Sequence, residues 1–279
     1  MPSNGFRVLV EGLDHPEGVA VGPDGTLYAG GEAGQVYRIE ETGPVEVANT
    51  GGFLLGMAAD GDGRLYACDV ARREVLRVDP LSGSTEVYAS GTPERPMVNP
   101  NWPVFDDDGN LYVTDSGTWK GDDGCIFRVS PAGEAEVWST ASTAFPNGAC
   151  LTANGGHLLV LESVPGALVR IPVADPSARE VIVELPDAVP DGICLDTDGT
   201  AYVFCYRPDR VYRIADGTLE VFADDPQGTL LAAPTNGVFV GTDRTTLVCG
   251  NLGRWHLSAC EVDTPGLPLR YPSPSGSPK

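Results

Sequence analysis

The chain has 279 residues, with 18 lysines and arginines against 39 aspartates and glutamates, a formal net charge of −21. So acidic a surface repels phosphate backbones and anionic headgroups, which excludes nucleic acid and membranes as expected partners and leaves a small-molecule substrate. With 42% hydrophobic residues, 35 glycines and 24 prolines, the composition is that of a globular chain with a substantial core and many tight turns.

The start, Met1-Pro2-Ser3-Asn4-Gly5-Phe6-Arg7, lacks the basic end and apolar stretch of a secretion signal, so the expected location is cytoplasmic. Phe6-Arg7-Val8-Leu9-Val10 then reads as a strand standing ahead of the first repeat. From Pro16 to Tyr28 the chain runs through a polar entry, an apolar strand, the turn Asp24-Gly25 and a second strand, the signature of a β-hairpin.

The phrase returns five times. Leu55 to Asp60 precedes Asp62-Gly63; Asn101 to Asp106 precedes Asp108-Gly109; Pro146 to Leu151 precedes Gly155-Gly156; Pro190 to Leu195 precedes Asp198-Gly199; Thr235 to Val240 precedes Asp243-Arg244. Asp24, Asp62, Asp108, Asp198 and Asp243 read as turn formers. A third strand with a recurrent arginine follows in five units (Arg38, Arg77, Arg128, Arg170, Arg213), and then a fourth strand. Four strands per repeat is the make-up of a propeller blade.

The sixth unit lacks a clear fourth strand, and the spare N-terminal strand supplies one if the ring closes. The expected architecture is all-β: a six-bladed β-propeller with four-stranded blades over residues 1–264, its N-terminal strand closing the last blade. A Pro-rich tail, surface-wrapping or frayed, is expected over 265–279. A monomer or weak homo-oligomer is expected.

In a propeller the innermost strands begin together at one mouth of the axial channel. Aligned on the residue before the repeat's glycine, the units present Glu17, Leu55, Asn101, Asn147, Asp191 and Asn236, with Trp102 where other copies carry glycine. Any one Asn or Asp beside Gly is an ordinary turn residue. Five oxygen-bearing side chains at one phase of the repeat point instead to a divalent cation, since burying them unsatisfied is costly. The oxygen-only set Glu17, Asn101, Asn147 and Asp191 suits Ca²⁺, with Mg²⁺, Mn²⁺ or Zn²⁺ as alternatives. Leu55 leaves one side uncoordinated. Seven scattered cysteines without a Cys-x-x-Cys pair read as core residues, and His15, His157 and His256 lack zinc-site spacing.

The segments His15-Pro16-Glu17-Gly18, Asn101 with Phe105 to Asp115, Phe145-Pro146-Asn147-Gly148 and Val189-Pro190-Asp191-Gly192-Ile193 resemble those of the SMP-30/gluconolactonase/LRE family, and more distantly those of paraoxonases and strictosidine synthases. The resemblance spans nearly the whole chain. It implies that Glu17, Asn147 and Asp191 are the main ligands of a cation, that Asn101 is a ligand or substrate contact, and that the activity is hydrolysis of a lactone or related ester. Asp191 would serve as both ligand and catalytic base. Where sugar-lactone members of the family commonly carry an Arg and an Asp around the third-blade Asn, this chain has Asn99 and Trp102, which favours a less polar or more planar substrate.

Further substrate contacts are expected among Trp102, His15, Asn236, Trp119, Tyr206 and His256, with Glu32, Arg254 and Trp255 near the same mouth. Structural hydrogen bonding for the two histidines and blade packing for the aromatic residues are the alternatives. A lyase, isomerase or cyclase on the same scaffold, and a calcium-binding propeller without turnover, are the competing functions.

Overall fold

Each repeat folds into a four-stranded antiparallel sheet because its apolar residues recur with strand periodicity between turn residues. The computed structural model describes residues 4–273. Its strands, numbered along the chain, begin with β1 (Arg7–Glu11). The first blade is β2 (Val19–Val21), β3 (Leu27–Gly30), β4 (Gln35–Glu40) and β5 (Gly43–Asn49), and the second is β6 (Leu54–Ala59), β7 (Leu65–Asp69), β8 (Glu74–Asp79) and β9 (Ser84–Ala89). The third comprises β10 (Pro100–Phe105), β11 (Leu111–Asp115), β12 (Cys125–Val129) and β13 (Ala135–Ser139). The fourth comprises β14 (Pro146–Leu151), β15 (His157–Ser163), β16 (Gly166–Pro172) and β17 (Glu180–Glu184). The fifth comprises β18 (Val189–Leu195), β19 (Ala201–Arg207), β20 (Arg210–Ala215) and β21 (Thr218–Asp224). The sixth holds β22 (Pro234–Val240), β23 (Thr246–Asn251) and β24 (His256–Glu261), and β1 pairs antiparallel with β24 as its outer edge.

The molecule is therefore an all-β, six-bladed propeller with the expected strand closure. Among the described residues no helix is long and apolar enough to cross a membrane. The core lies between blades: Leu54, Leu65, Tyr66, Leu111, Phe127, Leu158, Leu168 and Phe204 are essentially inaccessible. Four of the five recurrent third-strand arginines reach fourth-strand glutamates, as in Arg77 Nε to Glu86 Oε1 (2.7 Å) and Arg128 Nε to Glu136 Oε1 (2.7 Å), while Arg38 bonds Glu40 on its own strand. These pairs are exposed, so they tie strand edges together at about 0–1 kcal/mol each. The seven cysteines are free; five are buried, and Cys150 and Cys194 are half-buried.

The hairpin turns differ in detail from the sequence reading. In the first blade Asp24 does hold the turn, accepting the Thr26 N–H at 3.0 Å. In three others the holding carboxylate belongs to the aspartate two residues earlier: Asp60 accepts from the Asp62 and Arg64 N–H groups, Asp106 from Asp108 and Asn110, Asp196 from Asp198 and Thr200. In the sixth blade, Arg244 takes the left-handed conformation (φ +55°) that Gly25 takes in the first (φ +85°).

Of the expected tail, residues 274–279 lie outside the described residues. Residues 265–273 cross the end of the channel that carries the hairpin turns. Leu267 N–H donates to Leu195 O, Gly61 N–H to Pro272 O, and Tyr271 Oη to Val21 O.

Candidate metal centre

Antiparallel pairing sends each innermost strand from the channel mouth to the hairpin turn at the far end, so the six strand starts share one rim. At that rim the strands are bulged. The register between inner and second strands shifts between Leu54 and Met57, Pro100 and Trp102, Pro146 and Ala149, Pro190 and Ile193, and Pro234 and Asn236. A bulge re-aims the side chain of the extra residue. His15, Phe145 and Ala233, each just before an entry proline, hold left-handed φ values of +42°, +58° and +47°, so the backbone is strained beside three ring positions.

Neighbouring ring residues touch through the backbone. A Cβ on Gly56 would lie 2.7 Å from Asn101 O, and one on Gly250 would lie 2.6 Å from Glu17 O. Cβ atoms on Gly18, Gly148 and Gly192 would collide with the carbonyls of Leu55, Asp191 and Thr235. In the third blade, where Trp102 replaces glycine, Thr114 Oγ1 instead donates to Asn147 O at 2.8 Å. The ring is thus Glu17, Leu55, Asn101, Asn147, Asp191 and Thr235. The expected sixth member, Asn236, is displaced by one residue: Thr235 occupies the bulge and Asn236 follows it into the channel.

The two asparagines are oriented by an identical device. Ser116 Oγ donates to Pro146 O at 2.8 Å, and Ser163 Oγ donates to Pro190 O at 2.7 Å. Each hydroxyl proton is thereby committed, so the serine can only accept, from Asn101 Nδ2 (3.1 Å) and Asn147 Nδ2 (3.2 Å) respectively. The amide flip is fixed, and Oδ1 is left on the side away from the serine. Among the described residues, Asn101 Oδ1 and Asn147 Oδ1 are both buried without a hydrogen-bond partner, as is Asn99 Oδ1 two residues upstream of Asn101. Buried acceptors are almost always satisfied in native structures, so two orphaned amide oxygens at equivalent ring positions call for a donor or a cation.

The carboxylates make the same demand. Glu17 is 6% and Asp191 8% exposed. Burial pushes the Glu17 carboxyl well above the ordinary carboxylate range, and the charges of Asp191 and Glu32 push it further the same way. Burial does likewise for Asp191. Two carboxylates and two outward-facing amide oxygens make a hard donor set that a divalent cation would satisfy, and the residues present fit such an ion.

Beside Glu17, Asp14, His15 and Glu32 place their ligand atoms within 4.8 Å of one another. This group is largely satisfied internally: Asp14 accepts from Gln35 Nε2 (3.0 Å) and the Ala33 N–H (3.2 Å), and His15 Nδ1 lies 3.0 Å from Asp14 Oδ1 and 3.3 Å from Glu32 Oε2. The His15 ring packs edge-on against Trp255, with centroids 5.4 Å apart. Trp119, 49% exposed and edge-on to Phe145 in a loop of the third blade, and Tyr206, 39% exposed beneath the Arg207 guanidinium at the end of β19, stand on the same face.

His256 opens β24, the third strand of its blade, with Nε2 3.2 Å from Leu230 O. Trp102 points along the channel, not at its mouth. A Cβ on Gly192 would meet its Cη2 at 2.8 Å, so the indole bridges from the third blade to the fifth.

A family model described as the SMP-30/Gluconolactonase/LRE-like region matches residues 32–250, and one described as Strictosidine synthase-like, N-terminal, matches residues 6–39. A gluconolactonase of Zymomonas mobilis is 26% identical over 211 residues, covering 66% of this chain and 58% of that protein. The Arabidopsis thaliana protein STRICTOSIDINE SYNTHASE-LIKE 3 is 26% identical over 172 residues, covering 56% of this chain and 44% of that one. The chain thus spans about half the length of the curated relatives it matches. Among solved structures, a calcium-binding regucalcin from Agrobacterium tumefaciens superposes with a TM-score of 0.80 at 17% identity, covering 98% of both chains, which is a likeness of fold.

Proposed function

The chain belongs to the SMP-30/gluconolactonase/LRE-like family, and on that premise we propose that it hydrolyses a lactone or related cyclic ester at the ring of Glu17, Asn101, Asn147 and Asp191. Glu17, Asn147 and Asp191, with Asn101, would hold one divalent cation, Ca²⁺ first. When bound there, such an ion supplies a positive charge that polarises an ester carbonyl and favours the developing oxyanion. Asp191 accepts a proton from the attacking water as oxygen adds to the carbonyl carbon. The ring C–O bond then breaks, and the proton passes to the departing alkoxide, giving a hydroxy acid. Asn101 and Asn147, held by Ser116 and Ser163, keep their amide oxygens fixed instead of rotating. Trp119, Tyr206 and His15 on the same rim are the substrate-facing groups, and their aromatic character favours an apolar or planar acyl portion.

The observation that carries this reading is the pair of orphaned amide oxygens beside two buried carboxylates. Proton release from a panel of lactones, followed with added Ca²⁺, tests it. Hydrolysis should vanish with chelator and fall by about 10²–10⁴-fold in Asp191→Ala. Ca²⁺ binding with no turnover of any cyclic ester would replace the hydrolase with a cation-binding propeller, and a product without the added elements of water would indicate a lyase or isomerase.

A further inference from the structure

Below the ring lies a chamber of about 740 Å³ at the hairpin-turn end of the channel, with Trp102 among its lining residues. None of Glu17, Asn101, Asn147 and Asp191 lines it. Its walls include one repeat position from each blade: Ala20, Ala58, Val104, Cys150, Cys194 and Phe239. In β6, β10, β14 and β18 the penultimate residue, respectively Ala58, Val104, Cys150 and Cys194, is half-buried between fully buried neighbours. These side chains therefore face open space, and all are small and uncharged. The volume lies within the range of small-molecule pockets, about 300–1,000 Å³.

The charged groups around the chamber sit at its outer rim and are engaged there. Arg270 pairs with Asp107 (3.1 Å) and donates to Thr152 O and Ala153 O; Arg244 Nε donates to Gly266 O (2.9 Å); Asp24 holds Thr26. Through these contacts the segment 266–272 covers the opening. Gly266 lies so close on the Phe239 ring that no side chain would fit. At the inner end stands Asn236, 2% exposed, the polar side chain that β22 contributes to the lining. An apolar space with one convergent polar group is built for an apolar ligand carrying one hydrogen-bonding function.

We propose that this lower chamber is a second small-molecule site, distinct from the ring, for a neutral and predominantly apolar ligand whose single polar group meets Asn236. The charged side chains of the lining, Asp24, Arg244 and Arg270, are already engaged at the hairpin-turn end, so an ion deeper in the chamber would be desolvated without a partner.

Calorimetric titration of the full-length protein with 1-octanol and with octanoate tests this. Saturable one-to-one binding of 1-octanol is expected, with octanoate weaker by roughly tenfold or more. Asn236→Leu should weaken 1-octanol by roughly two- to tenfold through loss of one hydrogen bond. Ala58→Phe and Cys194→Phe, which fill the chamber, should abolish binding, while Asp191→Ala leaves it unchanged whatever becomes of lactone hydrolysis. No saturable binding to the wild type, equal affinity for octanoate, or undiminished binding in a folded filling variant would overturn the proposal. Should both filling variants fail to fold, unchanged affinity in Asn236→Leu overturns it.

Discussion

Ser163→Ala removes one hydroxyl that never touches substrate, yet it should weaken both the fold and the ring. Ser163 is 2% exposed; its Oγ donates to Pro190 O at 2.7 Å and accepts from Asn147 Nδ2 at 3.2 Å. Truncation strands a buried carbonyl and a buried amide donor, each costing about 1–3 kcal/mol when unsatisfied. The longer of the two bonds places the total near the low end, about 2–4 kcal/mol. For a domain of this size that is a fall in Tm of about 4–16 °C. A second loss appears with Ca²⁺. Freed from the serine, Asn147 can turn its Nδ2 toward the ring, so part of the cation-linked stabilisation disappears as well. That stabilisation in the wild type is about 2.7 kcal/mol at a free Ca²⁺ concentration of 100 times Kd. Denaturant unfolding in chelator and in excess Ca²⁺ reads both terms, and the deficit of Ser163→Ala should be larger in Ca²⁺. A variant within about 0.5 kcal/mol of wild type in both conditions would refute the argument that the serine fixes the amide.

Glu17 and Asp191 set the pH response of the cation-free protein. Both carboxyls are pushed up by burial from their ordinary values of 4.5 and 3.8, so the folded state holds protons that the unfolded state has released. Stability in chelator should accordingly fall as pH rises from about 4 through the raised folded values. Melting curves from pH 4 to 8 should show that slope flattened in Glu17→Gln; an equal slope in the variant would remove Glu17 from the account. Gly56→Ala should destabilise by about 1–3 kcal/mol, because its Cβ would meet Asn101 O at 2.7 Å, Pro103 Cδ at 2.9 Å and Trp102 Cα at 3.0 Å. A neutral result in denaturant unfolding would show that adjacent blades at the ring are less closely packed than described.

The blade count and the closing strand were legible because they follow from periodicity: six copies of one hydrophobic phrase, plus one spare strand and one missing strand. Glu17, Asn101, Asn147 and Asp191 were legible for the same reason, since equal phase in the repeat becomes one rim in space. The sixth blade defeated this logic. Asn236-Gly237 matches the Asn-Gly of other copies, but the bulge forms between Pro234 and Asn236, and bulge position depends on how β22 pairs with β23. Ser163, which ends β15, and Ser116, which directly follows β11, escaped notice because nothing in the local pattern there marks a hydroxyl that orients an amide across the sheet. In the turns, Asp-Gly drew attention to Asp62, Asp108 and Asp198, although the carboxylates at Asp60, Asp106 and Asp196 do the holding. A bulky Trp102 in a glycine register marked an irregularity, but only packing could say that it lies along the axis.

The pairing of β1 with β24 joins residues 7–11 to residues 256–259. During synthesis β1 must therefore wait for the residues of β24 to be made, about 12–50 s at 5–20 residues per second. Until then the nascent chain carries an apolar strand with no partner, flanked by blades that already have theirs. Keeping that early segment from pairing elsewhere is a demand set by the way this ring is fastened.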